Sequence, residues 1–308
     1  MSKRVHVIIN PAAGQPKPIL RTLNSVFRAA GVVWDVSITQ AAGEAQRFAQ
    51  EAVRSEVDIV AIYGGDGSVM EAASGVLDSN IPLAILPGGT ANAMAAELTI
   101  PGNLEDACRL ISDEHSTIRA IDMGKAGEHY FALRIEVGFG AEQVRGASRA
   151  LKDSLGVLAY WLSSLHALKT TKISDYHLEL DGVQVESEGL ACLITNSGNL
   201  GLPGVSMAAD IDISDGLLDV LVIRNADLES LLSVAGSVAD IKGKNLTLPH
   251  WKAQHIVLAA DPPQAVQGDG ELWGETPLTV ETIAQRVRVI VPAETAKPRF
   301  PKLPSKNG

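Results

Sequence analysis

Asp58-Ile-Val-Ala-Ile-Tyr-Gly-Gly-Asp-Gly-Ser68 decides how this chain folds. An apolar, β-branched run stops at three glycines and an aspartate, and residues 68–77 continue with helical spacing. Farther on, Ile81-Pro-Leu-Ala-Ile-Leu86 stops at Pro87-Gly-Gly-Thr-Ala-Asn92 and leads into a second helix-like stretch, 91–98. A strand that turns through glycine into a helix, twice in succession, is the pattern of a parallel sheet. Both turns then fall on the carboxyl edge of that sheet, where open α/β folds bind ligands. Glycines leave backbone N–H groups bare. At a helix start such groups hold phosphate without a Walker lysine.

The alternation extends around this stretch. Residues 4–10, 33–38, 58–63 and 83–86 read as strands, and 19–30, 44–55, 68–77, 91–98 and 104–111 as helices. From about residue 117 the rhythm changes to short strands: 118–123, 130–137, 176–180, 184–187, 190–196, 217–224, 255–260 and 286–291. Asp181-Gly182 marks a hairpin. Two helices interrupt these strands, at about 142–170 and 228–241, the first with leucines on one stripe. The expected fold class is α/β plus β. Residues 1–122 form a Rossmann-like parallel-sheet nucleotide domain, 123–295 an antiparallel β-sandwich, and 296–308 a disordered tail.

Composition bounds the function. A net charge of −10 leaves no basic excess to neutralise a nucleic-acid backbone, so no nucleic-acid partner is expected. No apolar run approaches the roughly 20 residues of a membrane span, and the chain starts almost at once with a strand. The expected location is cytoplasmic. Two cysteines, Cys108 and Cys192, lie in apolar segments and read as buried thiols.

Several side chains could carry chemistry. Gly64, Gly65, Gly67 and Ser68 form the first loop, and Asp66 places a carboxylate where Mg²⁺ could bridge to phosphate. Glu71 lies in the following helical turn and has a structural use there too. Gly89 frees backbone in the second loop, and Thr90 and Asn92 can cap a helix or meet a ligand. Asn10 follows the first strand and Thr39 ends the second. Asp269 and Glu271, separated by one glycine, could be the tip of a solvated hairpin or a base with its supporting carboxylate. The acid-rich run 210–219 fits either a surface loop or a hard-cation site.

The ordered set of motifs resembles the diacylglycerol kinase catalytic-domain family, which includes sphingosine kinases and bacterial lipid kinases. The matching elements are Asn10-Pro-Ala-Ala-Gly14, Thr39 with Gly43 and Ala45, Gly64-Gly-Asp-Gly-Ser-Val-Met-Glu71, Pro87-Gly-Gly-Thr-Ala-Asn92, Val137-Gly-Phe-Gly-Ala141, Asp215-Gly-Leu-Leu-Asp219 and Asp269-Gly-Glu271. Ala93 stands where the family usually has Asp, and Ser68 where it has Thr.

The resemblance implies a nucleotide domain of the NAD kinase and phosphofructokinase type. It implies ATP bound by Asn10, Thr39, the Gly64–Ser68 loop and Thr90, and a lipid substrate reached by peripheral membrane contact. Glu271, supported by Asp269, would accept the proton of the lipid hydroxyl. Asp215, with the backbone oxygens of Asp212 and Leu217, would hold a structural Mg²⁺. A soluble acceptor, as in NAD kinases, and a non-catalytic binding protein are the rival readings. A homodimer is left open.

Overall fold

A computed structural model describes residues 2–14, 17–138, 168–169, 171–199, 210–224 and 248–293. The first half alternates as expected: β1 (Arg4–Ile9), α1 (Ile19–Ala29), β2 (Val33–Ile38), α2 (Glu44–Arg54), β3 (Ile59–Gly64), α3 (Asp66–Val76), β4 (Leu83–Pro87), α4 (Ala93–Glu97) and α5 (Leu104–Arg109). The strands pair in parallel in the order β2-β1-β3-β4. Every residue of β3 and β4 is buried, as a parallel sheet covered on both faces requires. α1 covers the sheet with Leu23 and Phe27, α2 with Ala45, Ala49 and Ala52. α2 and α3 pack closely because α3 carries Gly75, where a Cβ would lie 2.5 Å from the Gln46 carbonyl oxygen.

The second half is β-rich: β5 (Thr117–Ala126), β6 (His129–Phe131), β7 (Arg134–Val137), β8 (Ser174–Leu180), β9 (Val183–Gly189), β10 (Ala191–Thr195), β11 (Leu218–Ile223), β12 (His250–Ala253), β13 (His255–Asp261), β14 (Ala265–Gly268), β15 (Glu271–Glu275) and β16 (Leu278–Val291). Strands β16, β13, β8 and β9 extend the parallel sheet antiparallel to one another, and β5 and β6 attach to β16, giving ten strands. A separate six-stranded antiparallel sheet runs β12-β11-β10-β7-β14-β15. A second core fills the space between the sheets, with Tyr176, Leu178 and Leu258 from one and Ile135, Cys192 and Val220 from the other. The α/β-plus-β class is therefore observed. The Asp181-Gly182 hairpin joins β8 to β9 with φ of 51° and 85°, the left-handed pair of a type I′ turn. Cys108 and Cys192 are buried free thiols, and burial pushes Cys108 up to about 12.

Two differences matter for function. The expected single strand 130–137 breaks at Ala132 and Leu133 into β6 and β7, which belong to different sheets. Strands β12, β14 and β15 and the first half of β16 were not expected. The expected helices over 142–170 and 228–241 and the tail 296–308 lie essentially outside the described residues.

Candidate active site

β1, β3 and β4 are neighbours, so their carboxyl ends bring Asn10, Gly64 and Pro87 to one sheet edge. Asn10 N donates to the Tyr63 carbonyl at 2.9 Å, and Gly88 N to that of Gly64 at 2.9 Å. The Asn10 side chain joins two loops: Nδ2 donates to Ser68 Oγ at 2.8 Å, while Oδ1 accepts from Ala12 N at 3.0 Å. Glycine contacts close the remaining gaps. A Cβ on Gly89 would sit 2.6 Å from Gly65 Cα, and one on Gly88 would strike the buried Tyr63 ring at 2.7 Å. Gly14 (φ +62°) approaches the Gly88 carbonyl so closely that a Cβ would lie 2.1 Å away.

Gly65 and Gly67 are different. A Cβ on Gly65 meets only Gly89 Cα, at 3.5 Å, and one on Gly67 meets nothing within 4 Å. That open backbone begins α3, whose first turn has no side-chain cap. First-turn N–H groups have no intrahelical acceptor. Among the described residues no side chain caps these donors, so they and the positive end of the α3 dipole are available to phosphate.

The other loop residues divide into those facing that space and those spent on the scaffold. Asp66 Oδ1 accepts from Met94 N at 3.1 Å and pins α4 to α3; its second oxygen has no partner among the described residues. Thr90 is exposed at the tip of its loop. Asn92, at φ 49°, closes that loop on itself, accepting from Gly89 N at 2.9 Å and donating to Gly89 O at 2.7 Å. Thr39 is buried beside Asn10, and its N and Oγ1 both donate to the Ile9 carbonyl, at 2.9 and 3.4 Å. Glu71 Oε2 accepts from Ala45 N at 3.1 Å in the first turn of α2.

Asp269 and Glu271 sit on the β14–β15 hairpin, with Asp269 and Gly270 at φ 47° and 90°. The Asp269 carboxylate is fully engaged. Oδ2 accepts from Ala132 N at 2.9 Å and Oδ1 from Arg134 N at 2.9 Å, and Leu133 N reaches both at 3.2 and 3.4 Å. These three N–H donors hold the break between β6 and β7, where the chain passes from one sheet to the other. Glu271 is exposed, and its carboxylate has no partner among the described residues.

The hairpin connects back to the glycine loops through hydrogen bonds. Leu133 O accepts from Asn196 N and Ser197 N at 2.8 and 3.2 Å, and Ser197 Oγ donates to Glu97 of α4 at 2.7 Å. Asn199 N also donates to Glu97, at 2.9 Å. α4 in turn follows the Gly89 loop and is bound by Asp66. Asn196, Ser197 and Glu97 were not expected in this role. The signal available was a polar run, Asn196-Ser-Gly-Asn199, directly after the buried strand β10.

Two opposing effects act on Asp269. Burial pushes its carboxyl up to about 6, against the pull of the three N–H donors and the Arg134 guanidinium. A folded-state value raised above the ordinary 3.8 means that the native protein binds this proton more readily than the unfolded chain. The contribution to stability is thus present at low pH and lost as pH rises through about 6. Compared with Asp269→Asn, the parent should lose melting temperature steadily between about pH 4 and 6.5. A difference that moves the other way would mean that the N–H donors outweigh burial.

The implied structural-cation set behaves otherwise. Asp212 Oδ1 is bound by the Arg119 guanidinium at 2.6 Å and Ser214 N at 3.2 Å. Asp215 Oδ1 accepts from Leu217 N at 3.1 Å and Oδ2 from Lys252 Nζ at 2.8 Å, while the Asp212 carbonyl accepts from Asp215 N at 3.2 Å. Among the described residues no group of three or more acids, histidines or cysteines forms a metal cage. Of the implied ligands, the one carboxylate, Asp215, is already met by the Lys252 ammonium, so as placed the set does not offer a divalent ion a free carboxylate. The nucleotide loops do fit one: a single carboxylate, Asp66, with a spare oxygen is what a magnesium ion shared with substrate phosphates requires.

Comparisons with known proteins agree with this architecture. The family model described as the diacylglycerol kinase catalytic domain matches residues 4–126, and that of the YegS C-terminal NAD kinase beta sandwich-like domain matches 134–291. The unmatched interval between them contains the β6–β7 break. A diacylglycerol kinase of Bacillus subtilis is 28% identical over 96% of this chain and 98% of its own length. One from Staphylococcus epidermidis is 27% identical over 96% and 94%. The crystal structure of a diacylglycerol kinase from Bacillus anthracis superposes with a TM-score of 0.78 at 27% identity, covering 94% of this chain and 97% of that one.

Proposed function

The chain belongs to the diacylglycerol kinase catalytic-domain family, and we propose that it transfers the terminal phosphate of ATP to the hydroxyl of a diacylglycerol or related lipid. The observation that carries this is the uncapped start of α3, set among three glycine loops on one sheet edge. ATP phosphates lie against the α3 N–H groups and the Gly65–Gly89 backbone, and Asn10, Thr39, Ser68 and Thr90 border them. Magnesium, when bound with the nucleotide, neutralises charge on the β- and γ-phosphates; Asp66 is the residue that would hold it. Residues 1–122 serve as the nucleotide domain and 123–295 as the lipid domain.

The chemistry at the acceptor falls to Glu271. Asp269 spends both carboxylate oxygens on Ala132, Leu133 and Arg134, so it positions the junction between the sheets and turns no oxygen toward an acceptor hydroxyl. Glu271 is exposed and unpaired among the described residues. It accepts the proton of the lipid hydroxyl as the hydroxyl oxygen attacks the γ-phosphorus. The bond to the β–γ bridging oxygen breaks, and ADP leaves. Holding the reactants in line provides most of the acceleration.

The test is an acceptor panel. The protein is incubated with Mg²⁺, γ-labelled ATP and, separately, diacylglycerol, monoacylglycerol, sphingosine and NAD. Label in diacylglycerol or a related lipid is expected. Transfer to NAD alone would assign the protein to a soluble substrate instead. Binding of Mg·ATP without transfer to any acceptor would make it a non-catalytic binder.

A further inference from the structure

The acid cluster that follows residue 209 already contains a cation of its own. Lys252 of β12 lies directly opposite Asp219 of β11 in the antiparallel register, so the two side chains share a face. Its ammonium donates to the Asp210 carbonyl at 2.7 Å and Asp215 Oδ2 at 2.8 Å, and lies 3.7 Å from Asp219 Oδ1. Two of its three donors are hydrogen-bonded, and the third oxygen, on Asp219, lies at ion-pair distance. His250, two residues along the same strand, meets the same Asp219 oxygen more closely: Nε2 is 2.5 Å from Oδ1, and Nδ1 is 3.7 Å from Asp210 Oδ1. Asp219 itself is 1% exposed; burial pushes its carboxyl up, the His250 and Lys252 charges pull it back, and its Oδ2 has no hydrogen-bond partner among the described residues.

The loop next to this cluster is closed by its own donors. Asp122, fully buried, accepts from Gly216 N and Gln285 N, both at 2.7 Å. Arg119 neutralises Asp212, and Leu217 N occupies Asp215 Oδ1. A divalent ion held by the Asp215 carboxylate and the Asp212 and Leu217 carbonyls would have to displace Lys252 Nζ from Asp215 Oδ2 and sit against its charge. At such separations like charges repel strongly in a partly buried site.

We propose that Lys252 is a built-in replacement for the structural divalent ion, so that residues 210–219 need no metal and any divalent requirement of this chain is confined to its nucleotide. The inference concerns the stability of this cluster and is independent of which acceptor the protein phosphorylates.

The test is thermal melting of the full chain without nucleotide, in EDTA, in millimolar Mg²⁺, and in NaCl of matched ionic strength. The parent should melt alike in all three. Lys252→Met should melt several degrees lower in EDTA and regain part of the loss in Mg²⁺ but not in NaCl, because the acids then lack their cation. Lys252→Arg should keep the charge, stay close to the parent and ignore EDTA. A parent that EDTA lowers and Mg²⁺ restores would overturn the proposal. A Lys252→Met protein as stable as the parent in EDTA would do the same, as would one that no divalent ion stabilises. Should Lys252→Met fail to fold, the parent and Lys252→Arg melts still decide the question.

Discussion

Glu271→Gln is expected to lower kcat on the best lipid acceptor by about a hundred- to ten-thousandfold, the usual contribution of a positioned general base. Glutamine keeps the size of the side chain and its ability to accept a hydrogen bond, but cannot take the proton of a hydroxyl near neutral pH. The residue is exposed and its carboxylate supports nothing among the described residues, so the substitution should leave the melting temperature and ATP affinity close to the parent's. The contrast is Asp269→Asn. An amide there sets an NH₂ against backbone N–H groups that now meet a carboxylate oxygen at 2.9 Å. Leaving such a donor unmatched costs about 1–3 kcal/mol. Asp269→Asn should therefore act through the β6–β7 junction, with a melting shift alongside any loss of rate. Full activity in Glu271→Gln together with an inactive but well-folded Asp269→Asn would move the base to Asp269.

Gly65→Val should weaken ATP binding by a hundredfold or more. The estimate assumes the loss of about two charge-assisted hydrogen bonds to phosphate, at ~1.5–3 kcal/mol each. Gly65 is the position where this test is clean. Its φ of −88° and ψ of −177° are ordinary extended backbone, and a Cβ there meets only Gly89 Cα at van der Waals distance. Gly88 and Gly89 would be poor choices, because a side chain at either collides with Tyr63 or Gly65 and disturbs the loops themselves. Calorimetry with Mg·ATP, beside circular dichroism of the variant, checks the expectation. Parent-like affinity in a folded Gly65→Val protein would place the phosphates elsewhere.

The first half of the molecule was legible because its signals are local. Buried β-branched runs ending at glycine, and Ala45, Ala49 and Ala52 on one face of α2, fix strands and helices without reference to distant residues. The break between β6 and β7 was not legible. Ala132 and Leu133 are as apolar as their neighbours, and what interrupts the strand is a carboxylate 136 residues away from Leu133. β15, with Glu271, Glu275 and Gly274, is an edge strand that buries little, so it lacks the alternation of a covered sheet. β16 carries an irregularity between Ile283 and Val287 that shifts its pattern midway, around Gln285 at φ 51°.

In the site itself the residue types were legible and their division of labour was not. Glycines read as bare backbone for a ligand proved, at Gly88 and Gly89, to be demanded by contact with Tyr63 and Gly65 as well. Glu71 was placed with the nucleotide loop and given a structural use as well, and the structure shows the latter in its bond from Ala45 N of α2. The structural Mg²⁺ implied for Asp215 and the carbonyls of Asp212 and Leu217 depended on what else approached the Asp215 carboxylate. Lys252 comes from a strand 37 residues beyond Asp215 that no local pattern tied to the cluster.

The most direct measurement follows the label of γ-labelled ATP during incubation with Mg²⁺ and diacylglycerol in mixed micelles, with phases separated after a few turnovers. The expected result is label in the lipid phase as a phosphorylated lipid, present with the parent protein and nearly absent with Glu271→Gln. Label that remains in ATP or inorganic phosphate with every lipid acceptor, while the parent protein binds Mg·ATP, would contradict the assignment of this chain as a lipid kinase.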